Sequence, residues 1–229
     1  RPMRFLHRDA HLCVVDKPSG ISVHRGWDPS HDHVVSRVKG ELGGARVFPV
    51  HRLDRGTSGC LVLALDEDTA RILGDAFAEG RIEKTYVALV RGRPKDETFT
   101  VDSPVPKDEG SEERVDARTD FVRLGSMMVG PERMVTLVRA FPKTGRLHQI
   151  RRHLRHIYCA IVGDTTYGDN KVNKLVRAEL DLHRLALHAE RIAFVHPATG
   201  ARLEIEAPWP RDIPESIAAL RDAPGTEPI

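Results

Sequence analysis

No apolar run in this sequence exceeds six residues, the length reached at Cys60-Leu61-Val62-Leu63-Ala64-Leu65. A membrane-spanning helix needs about 20, so the chain is expected to have no membrane span. Each hydrophobic segment must instead be a short strand or one face of a short helix. Turn chemistry separates these segments at close intervals, as at Lys17-Pro18-Ser19-Gly20 and His196-Pro197-Ala198-Thr199-Gly200. A chain of 229 residues can bury enough surface in such elements to fold without disulfides or a structural metal.

Hydrophobic spacing places the elements. Residues 12–15 and 21–24 flank the Lys17-Pro18-Ser19-Gly20 turn and read as a hairpin. Strands are also predicted at 47–50, 59–65, 85–90, 134–141, 191–195 and 203–207, the last two joined as a hairpin. Val34, Val35 and Val38 recur at helical spacing. Ile72, Leu73, Ala76 and Phe77 form a second helical stripe, with Asp68 as its N-cap and Gly80 at its end. A third helix covers 149–157, with Ile150, Leu154 and Ile157 inward and Arg151, Arg152 and Arg155 outward. The acidic stretch 95–118 is predicted to be a mobile excursion. Strands outnumber helices and hairpins outnumber crossovers, so the expected fold is α+β, a mixed, largely antiparallel sheet core with flanking helices.

Charge is unevenly spread. Residues 139–191 hold 11 Lys/Arg against 5 Asp/Glu, whereas 96–120 hold 9 acidic against 3 basic. That separation suits a face built for a polyanion, and it equally suits an ordinary solvated surface in an Arg-rich chain. Three scattered cysteines, Cys13, Cys60 and Cys159, have no CxxC spacing, so they are expected to be buried and reduced. The opening residues, Arg1-Pro2-Met3-Arg4 and then His7-Arg8-Asp9, carry no apolar leader. A cytoplasmic protein is the expectation.

Chemistry concentrates at His51-Arg52-Leu53-Asp54-Arg55-Gly56-Thr57-Ser58-Gly59. Two arginines flank one aspartate in a loop rich in small residues, and flanking positive charge favours an ionised carboxylate. Such a group can be a nucleophile or a base. By residue chemistry alone the same block is also a loop-stabilising ion pair. Tyr86, on an alternating strand, reads as half-buried core, and Arg146, after a turn, as surface charge.

The block resembles the signature of the RluA-type pseudouridine synthases, and three further blocks agree in order and separation. These are Lys17-Pro18-Ser19-Gly20 with Val23-His24, then Lys84-Thr85-Tyr86 with Val90-Arg91-Gly92. The third is Lys143-Thr144-Gly145-Arg146-Leu147-His148-Gln149-Ile150-Arg151 with Gly163-Asp164 and Tyr167-Gly168-Asp169. Leu185-Ala186-Leu187-His188-Ala189 follows the family pattern as well, so the likeness spans roughly residues 12–195. It implies the pseudouridine synthase catalytic fold, with an active-site cleft across the sheet, and isomerisation of a uridine in RNA to pseudouridine. Carried over by position, Asp54 is the catalytic aspartate, Tyr86 lies against the target uracil, and Arg146 pairs with Asp54. Arg52 enters the RNA stack as the target leaves it, with Arg55, Arg151, Arg152 and Arg155 as further RNA contacts. Leu185 or Leu187 lines the base pocket or packs the core.

The Lys17-Pro18 block begins almost at once, so a single catalytic domain over 1–229 is expected, with no separate N-terminal RNA-binding domain. Val23-His24-Arg25 and Arg151-Arg152-His153-Leu154 are similar to the tRNA pseudouridine synthase C branch. This implies tRNA as partner, ribosomal RNA as runner-up, and a monomer. A non-catalytic RNA-binding protein on the same scaffold is the remoter alternative. No metal is expected at His148, His153 and His156, because His153 sits about 140° around a helix from His148 and the interleaved arginines cannot be ligands. Without GxGxxG, P-loop or HExxH motifs, no organic cofactor is expected.

Overall fold

The computed structural model describes residues 2–24 and 32–222. Arg25, the end of the Val23-His24-Arg25 segment, lies outside the described residues. The elements run β1 (Arg4–Arg8), β2 (Leu12–Lys17), α1 (Val34–Glu41), β3 (Phe48–Pro49), β4 (Ser58–Ala64), α2 (Glu67–Ala78) and β5 (Glu83–Arg91). There follow β6 (Thr98–Asp102), β7 (Val105–Pro106), β8 (Arg114–Val115), β9 (Arg118–Val129), β10 (Arg133–Pro142), α3 (Gln149–His156) and α4 (Asn170–Leu180). The last described elements are β11 (Leu187–Val195), β12 (Arg202–Glu206), α5 (Glu215–Ala218) and a single 3-10 turn (Ala219–Asp222). The architecture is α+β, and every strand pair with a described register is antiparallel. Among the described residues no helix is long and apolar enough to cross a membrane.

The chain falls into two compact units, one from residues 1–84 with 189–208 and one from 85–188 with 209–229. In the first unit β4 is buried along its whole length, which is why Cys60–Leu65 reads as an unbroken apolar run. It pairs with β2 from Leu12↔Ala64 to Lys17↔Gly59, and β2 pairs in turn with β1. The α2 side chains Leu73 and Ala76 close one face over Leu12, Val14, Cys60 and Val62, together with Ile192 and Phe194. In the second unit β5, β10, β9 and β6 lie side by side. The core of this unit gathers Leu89, Phe121, Leu137 and Val138 of the sheet with Leu154 of α3 and Val172 and Val176 of α4.

Four expectations are corrected. Residues 21–24 form no strand: the Ser22 and Val23 carbonyls accept from Val34 and Val35 N–H, so the segment satisfies the open end of α1. The partner of β2 on that side is β1, which hydropathy did not mark. Asp66, not Asp68, caps α2, its carboxylate accepting from Thr69 N–H at 2.8 Å while Asp68 lies in the first turn. The acidic stretch is built structure, holding β6, β7 and β8 and leading into β9. In α3, Arg151 points inward with Ile150 and Leu154.

Candidate active site

The Asp54 loop is held from beneath by a buried cation. Lys17, at the end of β2, is fully buried and donates to the carbonyls of Pro18 (2.9 Å), Arg55 (3.2 Å) and Thr57 (2.7 Å). Ser19 Oγ donates to the Gly56 carbonyl at 2.8 Å, and Gly20 N–H to the Arg55 carbonyl at 2.8 Å. Arg55 returns a bond from Nε to the Gly20 carbonyl at 2.9 Å. The Lys17–Gly20 turn and the Asp54 loop are thus a single hydrogen-bonded unit.

Within the loop, Thr57 N–H donates to the Asp54 carbonyl at 3.0 Å, closing a tight turn. Leu53 is buried, Arg52 exposed and Asp54 half-buried. That alternation aims Arg52 and Asp54 away from the core together. Gly59 closes the loop at φ +110°, and a Cβ there would lie 2.2 Å from the Ala189 carbonyl oxygen. Only glycine fits. His51 stacks on Phe77 and accepts the Val62 N–H at Nε2, so its ring proton sits on Nδ1. Burial, with the charge of Lys84, pushes His51 down to about 3 and keeps it a neutral strut.

Tyr86 sits half-buried on β5, opposite Ala140 of β10, and packs against the core of the second unit. Two residues earlier on the strand, burial pushes the Lys84 ammonium down to about 8.

The basic block of the second unit divides its arginines by environment. Arg146 is exposed, its Nε donating to the Asp116 carbonyl at 3.1 Å. Its backbone is fixed by the buried carboxamide of Gln149. Gln149 Oε1 accepts from Thr144 Oγ1 (2.6 Å) and Arg146 N–H (3.1 Å), while Nε2 donates to the Arg118 carbonyl (2.9 Å) and Thr119 Oγ1 (3.0 Å). The whole capacity of the side chain is used. Arg151, expected on the outward face, is instead buried and forked onto Asp164 at 2.7 and 3.0 Å. Burial alone would raise the Asp164 carboxyl, but Arg151 and the Thr166 and Tyr167 amides outweigh it and hold it below the usual carboxylate range. A fixed internal ion pair is not a face for phosphates, so Arg151 is not the outward RNA contact expected.

Arg152 is half-buried, donating from Nε to Tyr167 Oη at 3.0 Å and from Nη1 to the Pro106 carbonyl at 3.1 Å. Arg155 is exposed as expected. His153 accepts from Thr119 Oγ1 at Nδ1 and donates from Nε2 to the Ser103 carbonyl, which occupies both ring nitrogens. Leu185 and Leu187 are buried in the core of the second unit. The three cysteines are free and buried, with the Cys13 and Cys60 thiols pushed up to about 12 by burial.

In the sequence Lys17 and Gln149 stand only as members of motifs, with no role attached. The signals were a lysine between an apolar strand and a turn, and a glutamine opening an apolar helix face.

Residues 11–156 match the family model described as RNA pseudouridylate synthase. The chain is 40% identical over 221 residues to a tRNA pseudouridine synthase C of Vibrio parahaemolyticus, covering 90% of this chain and 89% of that one. It is 35% identical to the tRNA pseudouridine synthase C of Pasteurella multocida, over 89% of this chain and 90% of that one. Among solved structures, human RNA pseudouridylate synthase domain containing 4 superposes with a TM-score of 0.76 at 27% identity, covering 95% of this chain and 93% of that chain.

Proposed function

Because the chain belongs to the RNA pseudouridylate synthase family, we propose that it converts a uridine of tRNA to pseudouridine, with Asp54 carrying the chemistry. The choice of tRNA follows the names of its relatives. The reaction breaks the bond from ribose C1′ to uracil N1 and forms one from C1′ to C5. C5 gives up a proton and N1 gains one, so substrate and product have the same atoms and no oxidant, reductant or second substrate is consumed. Asp54 attacks C1′ or takes a proton from the sugar to give a glycal-like intermediate; both routes need a fixed carboxylate at the glycosidic bond.

One observation carries this reading. Asp54 stands half-buried on a loop clamped by the buried Lys17 ammonium, an arrangement that fixes a carboxylate in place before substrate arrives. Tyr86 offers an aromatic face for the extruded uracil. Arg146, exposed on the second unit, takes the third catalytic role. Arg52 and Arg55, exposed on either side of Asp54, and Arg152 and Arg155 on α3 complete the RNA contacts. The proposal takes the protein to act as a monomer. The proposal places the protein in the cytoplasm.

Mapping pseudouridine in tRNA and ribosomal RNA from cells with and without this protein tests the reading. Loss of a tRNA site is expected. Loss confined to ribosomal RNA would replace the substrate, and loss of none would overturn the activity.

A further inference from the structure

Helix α3 ends on an unusual residue. Ile157 is its C-cap, and the next residue, Tyr158, has φ +62°, in the left-handed region. Tyr158 N–H donates to the Arg155 carbonyl at 3.0 Å and Cys159 N–H to the Leu154 carbonyl at 2.9 Å, the paired bonds that close a helix through a left-handed residue. Glycine is the ordinary choice there, because a side chain crowds its own backbone. This chain makes that choice at α2, where Gly80 (φ +71°) donates to Phe77 and Arg81 to Ala76 in the same pattern. At α3 it places one of its three tyrosines instead.

The core does not account for that tyrosine. Tyr158 is 79% exposed, and among the described residues its ring meets no other ring and its hydroxyl no hydrogen-bond partner. Beside it, on the last turn of α3, Arg155 and His156 are also exposed. Strain kept where relief is a single substitution away points to a use for the side chain. A bare aromatic face next to basic side chains matches unpaired nucleic acid, whose bases stack on aromatic rings while its phosphates meet cations.

We propose that Tyr158 is a stacking platform for an unpaired base of the bound RNA outside the target uridine, with Arg155 and His156 meeting the adjoining phosphates. The proposal rests on RNA being the substrate and adds where on the second unit a flanking single-stranded segment is held.

The test compares wild type, Tyr158→Phe and Tyr158→Gly. Binding is measured to a single-stranded oligouridylate of about 12 nucleotides and to a blunt RNA duplex of the same length. Tyr158→Phe keeps the ring and is expected to bind both as wild type does. Tyr158→Gly is expected to bind the single strand about 5- to 100-fold more weakly while leaving duplex binding unchanged. Its melting temperature is expected to be equal to or above that of wild type, because glycine relieves the left-handed strain. A structural role for the side chain would lower stability instead, so opposite movement of stability and affinity identifies the platform. Unchanged single-strand binding by Tyr158→Gly, equal losses on both probes, or a lower melting temperature would each overturn it. Pseudouridine formation by the wild type is scored separately, so failure of the activity and failure of the platform are read on different assays.

Discussion

At the scale of single residues, three side chains make the account testable. Lys17→Met removes the donor to three carbonyls; Arg55 keeps its bond from Gly20 N–H, while Pro18 and Thr57 lose the lysine, each at a cost of about 1–3 kcal/mol. Urea denaturation should show a loss of about 2 kcal/mol or more, with the remaining folded enzyme slow because the Asp54 loop is no longer fixed. Asp164→Asn breaks a buried ion pair and should cost about 3–5 kcal/mol at neutral pH. The Asp164 carboxyl is held below its ordinary value in the folded state, so its stabilisation is complete above the unfolded carboxylate pKa and fades as pH falls through the folded one. Stability curves of wild type and Asp164→Asn should therefore converge below pH ~4; a constant gap down to strong acid would remove the linkage. Arg52→Ala should slow a folded stem-loop more than an unstructured oligonucleotide of the same local sequence, because extruding a stacked uridine costs a few kcal/mol that a guanidinium entering the gap offsets. Equal slowing on both would leave Arg52 a general electrostatic contact. Asp54 and its flanking arginines were legible because a loop displays its chemistry in sequence. Arg151 is not legible in this way, because charge in a sequence does not by itself mean exposure. It shares the helix face of Leu154, three residues on, and its partner Asp164 lies 13 residues away, a separation that local periodicity does not register.

At the scale of elements, α3 now has fewer outward cations than its sequence suggested. Arg155→Ala should lower the slope of log affinity for RNA against log salt by about 1 with little change in stability. Arg151→Ala should cost about 3–5 kcal/mol of stability. If the stability cost falls on Arg155 and the pure slope change on Arg151, the assignment of helix faces is reversed. The strands show why some elements were readable and others not. Both β4 and β10 announce themselves by dense burial. In β9 the alternation starts with Thr119 and Phe121 inward, then breaks at the bulge where the register passes from Arg123↔Val138 to Ser126↔Thr136. A period that changes phase within one strand does not survive a fixed-period reading. Strand β6 was hidden by its polar exposed face, which an antiparallel strand with one solvated side is free to carry.

At the scale of the whole molecule, the fold class and family blocks were legible because they rest on many short segments agreeing in order. The division into two units was not, because two of the three crossings between them fall inside strands, β5 and β11, and only the third, at 208–209, lies between elements. Turnover should persist in EDTA, since the isomerisation has no redox or phosphoryl step and both ring nitrogens of His153 are engaged within the protein. Activity lost to the chelator and restored by zinc or magnesium, with the RNA fold intact, would contradict that. The central claim is that the carboxylate of Asp54 carries the reaction. The direct measurement is single-turnover release of tritium from uracil C5 in labelled tRNA transcripts, comparing wild type with Asp54→Asn at matched folding and saturating enzyme. The amide keeps the shape but loses the charge and the basicity. Release by the wild type and none above background from the variant, with RNA affinity kept within a few fold, is the predicted result; release by Asp54→Asn at near the wild-type rate would contradict it.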